Sequence, residues 1–204
     1  MSKAKTTLTC LVGLLSILGI VFTISFLIRG GANEGFAEYP TVTNLHVIPG
    51  LIYLALAPLQ FLGPIRDRYR NYHRWSGRLL AGIGLILGGA ALFIALVFPY
   101  SGIAEQIIVG AFAAFFLIAI IKGVQSARAR HYGEHREWML RAFAIGLSIV
   151  TMRLIFIPIL VAIGNPTREI AELYSIVSFT IAFCIHSLFA ELWIRFTRRR
   201  TGSK

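Results

Sequence analysis

LHVIPGLIYLALAPLQFLGPIRDRYRNYHRWSGR, residues Leu45 to Arg78, sets the topology of this chain. An apolar helix with a histidine near one end runs into an arginine-rich turn, the pattern of a membrane span that ends at a charged interface. At about 100° per residue, His46, Gly50, Tyr53, Ala57 and Gln60 fall within one arc of about 80°, a narrow stripe of polar and small residues that should face inward. Pro49 and Pro58 each remove a backbone donor and favour kinks, which free carbonyls. Close helix packing accounts for most of the stripe. An ionisable group within a membrane adds a ligand-binding reading, in which His46, Tyr53 and Gln60 take part.

The rest of the chain agrees with a membrane setting. Of its 204 residues 56% are hydrophobic and only 14% charged, too apolar for a soluble domain of this length. Apolar runs near residues 8–28, 43–63, 77–99, 103–123, 138–162 and 171–195 reach or approach the roughly 20 residues that cross about 30 Å of hydrocarbon. These runs are too long and too continuous for the alternating strands of a barrel. The expectation is an all-α membrane protein of six transmembrane helices forming one domain over residues 1–204, with a basic cytoplasmic tail at 196–204. Residues 8–28 read as an anchor, because the apolar run exceeds a secretory h-region and no small-x-small site precedes GGANEG. The segment 29–43 should be the longest outer loop, and flexible.

The net charge of +11 matters for where it falls. With a cytoplasmic amino terminus, seventeen of the twenty Lys and Arg residues lie on one side: Lys3 and Lys5, the arginines from Arg66 to Arg78, those from Lys122 to Arg141, and the carboxy-terminal group from Arg195 onward. Arg29 and Arg168 fall on the other side, and Arg153 within a span. This bias places both termini in the cytoplasm and the protein in the plasma (inner) membrane, and makes nucleic acid a poor explanation of the charge.

RDRYRNYHRWSGR from Arg66 and RARHYGEHREWMLR from Arg128 share Arg-x-Arg-x4-His-Arg. Arg66, Arg68, His73 and Arg74 return as Arg128, Arg130, His135 and Arg136, each 62 residues on. The spacing predicts a parallel repeat of helices 2–3 and 4–5 about an axis along the membrane normal. Side by side, the two turns would form a basic pocket at the inner leaflet, with Arg66, His73, Arg74, Arg78, His135, Arg136 and Arg141 around a phosphate or carboxylate. Topology alone also calls for arginines in these turns.

Other polar groups lie within the spans. Arg153 sits mid-helix, where an arginine costs about 2.5–3.5 kcal/mol on insertion scales and needs a partner, water or snorkelling. In the six-span order it could approach His46, Tyr53 or Glu105. Ser175, Ser178, Ala182 and His186 form one stripe of the last span. Gly77, Ala81, Gly84 and Gly88 give the third span a small-residue face with GxxxG spacing, a packing signal that also serves homo-oligomers. Cys10 and Cys184 lack CxxC spacing and read as small apolar residues. Glu105, in the first turn of its span, suits the helix dipole.

HVIPGLIYLALAPLQF, HRWSGR, and HREWMLR followed by an arginine in the same helix together resemble a bacterial membrane family, domain of unknown function 2306, over roughly residues 45–155. The resemblance implies a multi-span protein and brings no established reaction. A looser similarity, in the order His46, Gly50, Arg66, His73, is to transmembrane b-type cytochromes of the ascorbate and ferric reductase kind. That similarity implies haem b held by histidines, with His46, His73, His135 and His186 the available ligands. Bis-histidine ligation needs two imidazoles at one depth.

Three functions follow from these residues. The first is binding or carrying a small anionic molecule or lipid through a polar bundle interior and the inner basic pocket. The second is electron transfer through haem b or quinone, the one reading that makes the protein an enzyme, a membrane oxidoreductase. The third is a non-catalytic accessory subunit. No nucleophile motif, Walker loop, HExxH or paired carboxylates speak for hydrolysis or phosphate chemistry.

Overall fold

The computed structural model describes residues 3–28 and 38–201, and among these there is no strand. Among the described residues the α-helices are α1 Lys3–Ile28, α2 Pro40–Leu56, α3 Gly63–Asp67, α4 Arg70–Val97, α5 Gly102–Arg128, α6 Tyr132–Ile163 and α7 Arg168–Thr201. A 3-10 turn, Ala57–Phe61, continues α2. Six stretches are long and apolar enough to cross a membrane: Thr6–Ile28, Pro40–Phe61, Arg70–Val97, Gly102–Arg128, Tyr132–Ile163 and Arg168–Arg198. The fold class expected from hydropathy is therefore present, with ends that run further than the apolar runs. The loop expected at 29–43 lies outside the described residues up to residue 37, and Pro40 to Thr43 already belong to α2.

The two basic segments are less turn than helix. Only Arg68 and Tyr69 separate α3 from α4, and only Ala129 to His131 separate α5 from α6. A helix satisfies its own backbone groups wherever its residues lie, so arginine-rich sequence continues it past the apolar run without cost. The 62-residue displacement recurs in these helix starts. Tyr69 and His131 are the residues before α4 and α6, and their carbonyls accept from His73 and His135 N–H, at 3.0 Å each. The turns themselves differ. Arg130 has φ of +62°, whereas Arg68 caps α3 with φ of −94°.

The helices gather into two compact units, Met1–Phe98 and Pro99–Lys204. In the first, α2 packs mainly on α4, and α1 packs on α2. The inward stripe of α2 faces this contact: Tyr53 and Ala57 are buried, and a Cβ at Gly50 would meet Leu87 Cδ1 at 3.4 Å. Gly84 and Gly88 of α4 are buried as well. Small residues let two helix backbones approach where lipid gives apolar side chains no reason to hide. Ser16, Gly19 and Thr23 do the same for α1, which exposes Leu11, Leu14, Ile17 and Val21 elsewhere around its surface. Pro49 lies inside α2, and at Pro58 the α-helix has already given way to the 3-10 turn. The missing proline N–H removes an i→i−4 bond there, which a tighter turn tolerates.

In the second unit α6 is central, packed on α5 and on α7. Ala119, Ile120, Ala142, Val150, Ser148, Ser178 and Ile194 are fully or almost fully buried, and the buried residues of α6 lie between Glu137 and Val150. At Gly123, a Cβ would lie 2.7 Å from Met139 Sδ, so a larger residue there would require the methionine side chain to shift.

Candidate functional site

The polar side chains fall into two groups, one in each unit. In the first unit they collect where α2 gives way to α4. Arg66, Arg68, Arg70, Arg74 and Arg78 are all exposed there. Arg66 is paired with Asp67, its Nε donating to Oδ1 at 2.8 Å. That hydrogen bond holds the Asp67 carboxyl below its ordinary range, with the charges of Arg66, Arg70 and His73 adding to the effect. Among the described residues, no carboxylate lies within ion-pair distance of Arg68, Arg70, Arg74 or Arg78. Aromatic rings stand between them. The guanidinium of Arg78 lies 5.1 Å from the ring centre of Trp75, and that of Arg68 lies 5.8 Å from Tyr69. Tyr69, Tyr72 and Trp75 are exposed, Trp75 at 70%, and the first two line a hollow of ≈ 390 Å³ with Asp67, Arg68, Arg70 and Asn71. Exposed arginine, tyrosine and tryptophan at the end of a span form an interfacial collar.

Beneath the collar, Gln60 Nε2 donates to Ser76 Oγ at 2.7 Å, and Ser76 Oγ donates to the Tyr72 carbonyl at 2.6 Å. Because the serine hydroxyl is committed to a carbonyl, the amide nitrogen must face it. Gln60 Oε1 is left buried without a donor.

In the second unit two arginines are paired with carboxylates between α6 and α7. Arg141 donates to Glu191 through Nε and Nη2, at 2.5 and 3.1 Å, and its guanidinium carbon lies 4.7 Å from the Trp138 ring centre. Arg198 makes a second two-pronged pair with Glu137. Arg136 donates to Thr197 Oγ1 at 3.3 Å. His135 Nδ1 lies 2.8 Å from the Gly123 carbonyl, an acceptor only, so Nδ1 carries the proton. Further along the same two helices, Thr151 Oγ1 is hydrogen-bonded to His186 Nε2 at 2.8 Å. Arg141 and Glu191 border a cavity of ≈ 250 Å³ together with Phe112, Phe115, Ser187 and Ala190.

Arg153 is half-buried on α6, with no ion pair or hydrogen bond among the described residues. Glu105, the carboxylate of the same unit named beside it in the sequence, instead accepts from Ser101 N–H at 2.7 Å, closing the start of α5. The other sequence candidates divide between the units: His46, Tyr53, Gln60, Arg66, His73, Arg74 and Arg78 in the first, and His135, Arg136, Arg141, Arg153 and His186 in the second.

His46 and His73 in the first unit, and His135 and His186 in the second, stand at different depths. Gln60 touches Ser76, and His46 lies fourteen residues to one side of that level and His73 three to the other, which separates those imidazoles by about 25 Å along the helices. In the second unit His186 is level with Thr151, sixteen residues or about 24 Å beyond His135. Neither pair can hold one iron from two sides. No group of three His, Cys, Asp or Glu side chains suited to a metal ion occurs among the described residues. Cys10 and Cys184 are free thiols, one in each unit.

Glu137, Glu191, Ser187, Phe112 and Phe115 were not among the site residues read from the sequence. The signal was present for the first two. Glu137 and Arg141 on α6 are matched in antiparallel order by Arg198 and Glu191 on α7.

A model of the predicted membrane protein family DUF2306 matches residues 43–194, beyond the 45–155 covered by the motifs. No curated protein and no solved structure matches the chain.

Proposed function

Starting from a chain that belongs to the DUF2306 family of predicted membrane proteins, we propose that it binds an anionic amphiphile at the collar between α2 and α4. The headgroup meets Arg68, Arg70, Arg74 and Arg78, and the chains remain in the bilayer. The carrying observation is that these four arginines, beside three exposed aromatic rings, have no carboxylate partner among the described residues. In the matching segment from Arg128, Arg141 is paired with Glu191, and Arg128 and Arg130 also have no carboxylate partner among the described residues. Guanidinium groups offer phosphate or carboxylate oxygens two donors at once, and interfacial tyrosine and tryptophan fix the depth of the collar at the headgroups. The charge bias along the chain supports a collar on the cytoplasmic leaflet, where anionic lipids are concentrated.

Carriage, as distinct from binding, is supported by the polar pairs spaced along α6 and α7: Glu137–Arg198, Arg141–Glu191 and Thr151–His186. They make a polar edge within an apolar unit, a usual feature of solute paths.

The test is lipid retention by protein purified in neutral detergent and reconstituted into nanodiscs of phosphatidylcholine with a minority of phosphatidylglycerol. Phosphatidylglycerol should be enriched around the wild-type protein, and enrichment should vanish when Arg68, Arg70, Arg74 and Arg78 are all changed to Gln. Equal retention of both lipids by the wild type would overturn the reading.

A further inference from the structure

The cavity bordered by Arg141 and Glu191 differs in chemistry from the collar, and its occupant follows from that difference. It lies within the second unit, walled by Phe112 and Phe115 of α5, Arg141 of α6, and Ser187, Ala190 and Glu191 of α7. Phe112 is held in place by stacking on Phe183, at 4.4 Å between ring centres. Arg141 is already neutralised by a two-pronged pair, so an anion would have to displace Glu191 to gain the guanidinium. The net charge of the lining is zero, and most of its surface is carbon.

Two kinds of donor remain unused. Ser187 Oγ is buried with no hydrogen-bond partner. Arg141 spends Nε and one Nη2 hydrogen on Glu191, which leaves the Nη1 hydrogens uncommitted among the described residues. A ligand that matches them is neutral, apolar in bulk, and carries an acceptor oxygen. The volume of ≈ 250 Å³ suits a single substituted ring, since an engineered cavity of about 150 Å³ already admits benzene. The site sits within the membrane spans, so its ligand arrives from the lipid phase.

We infer that this cavity binds a lipid-soluble, single-ring carbonyl compound of the quinone class, with a ring oxygen accepting from Ser187 Oγ and Arg141 Nη1, and the ring between Phe112 and Phe115. It is a binding site independent of the collar, and no electron transfer is assigned to it.

A benzoquinone bearing a ten-carbon chain quenches tryptophan on contact, and Trp138 lies against Arg141 beside the cavity. Titrated into the purified protein in neutral detergent, this probe should quench fluorescence saturably, and the saturable part should disappear in Trp138→Phe. Ser187→Ala should weaken apparent binding about 3- to 10-fold, the loss expected for one neutral hydrogen bond. Decylbenzene, of similar shape but without a carbonyl, should displace the probe poorly. Non-saturable quenching that is identical in wild type and Ser187→Ala would overturn the site. Equal displacement by decylbenzene would overturn carbonyl recognition, and displacement by diacylglycerol in preference to the quinone would reassign the cavity to a lipid ester. Loss of phosphatidylglycerol enrichment at the collar has no bearing on these outcomes, so the two readings fail separately.

Discussion

His135 Nδ1 donates to the main-chain carbonyl of Gly123 at 2.8 Å, tying the first turn of α6 to the last part of α5 across a three-residue connection. The Gly123 carbonyl lies about one turn inside α5, and a carbonyl oxygen has a second lone pair for the ring N–H. His135→Ala should cost about 1 kcal/mol in thermal or denaturant unfolding of the detergent-solubilised protein. His135→Asn, whose amide can donate from a similar position, should recover part of that loss. If Ala and Asn behave alike, the ring is there for its volume.

The same connection carries Arg130 in the left-handed region, with φ of +62°. His131 N–H bonds to the Ser126 carbonyl at 2.9 Å and Arg130 N–H to the Ala127 carbonyl at 3.1 Å, the paired bonds of a Schellman cap. That cap normally places glycine where Arg130 stands. An L-residue there costs roughly 1 kcal/mol or slightly more. Arg130→Gly should therefore raise the unfolding midpoint, provided the guanidinium makes no compensating contact. An unchanged or lower midpoint would show that the arginine is held by interactions at the interface.

These turns show how far the sequence could be read. Six spans are legible because a bilayer demands about 20 apolar residues per crossing and the chain supplies them. Helix ends are not legible, since Arg70 to Gly77 and Tyr132 to Trp138 stay helical without an apolar run to mark them. Nor is the boundary between Phe98 and Pro99, where composition does not change. At the site, the arginines stand out by type, but whether each is paired depends on the facing helix. The sequence resemblance between Arg66–Arg78 and Arg128–Arg141 hides that difference, because Trp75 and Leu79 occupy the positions matching Glu137 and Arg141.

The Arg141–Glu191 pair should behave as a unit. Arg141 is largely buried, at 16% side-chain exposure, so removing Glu191 strands a cation against apolar surroundings. Glu191→Leu and Arg141→Leu should each destabilise by about 1–2 kcal/mol, discounted for the more exposed carboxylate. The double change should cost less than the two together, and a double-mutant cycle in thermal unfolding measures the shortfall. Additive losses would mean that the two side chains act independently of each other.

Topology gives a separate check on the six spans. With an even number of crossings between them, Arg68 and Arg130 belong on one side of the membrane and Asn165 on the other. Single cysteines at these positions, in a background with Cys10 and Cys184 changed to Ala, should react with a membrane-impermeant maleimide accordingly. In right-side-out bacterial spheroplasts, Asn165→Cys should label, whereas Arg68→Cys and Arg130→Cys should label only after permeabilisation. Labelling of Arg68→Cys and Arg130→Cys from opposite sides would break the span count and with it the proposed repeat.

Asp67 supplies the sharpest test of the collar, because it is the carboxylate that keeps Arg66 from acting with its neighbours. Its carboxyl is held below the ordinary range by the Arg66 hydrogen bond, so the pair persists above the usual carboxylate pKa and is lost only as pH falls through that lowered value. Across the neutral range Arg66 is therefore occupied. Asp67→Asn removes the competing charge at constant pH and frees a fifth arginine. Enrichment of phosphatidylglycerol over phosphatidylcholine should rise about fivefold, the gain expected for one more basic group at an anionic surface. Raising the salt concentration should shrink the gain, since exposed charges act within about one Debye length. A decrease on Asp67→Asn would point to Asp67 as part of the headgroup contact, for instance as an acceptor for a glycerol hydroxyl, and would change the ligand from a simple anion to a polyol phosphate.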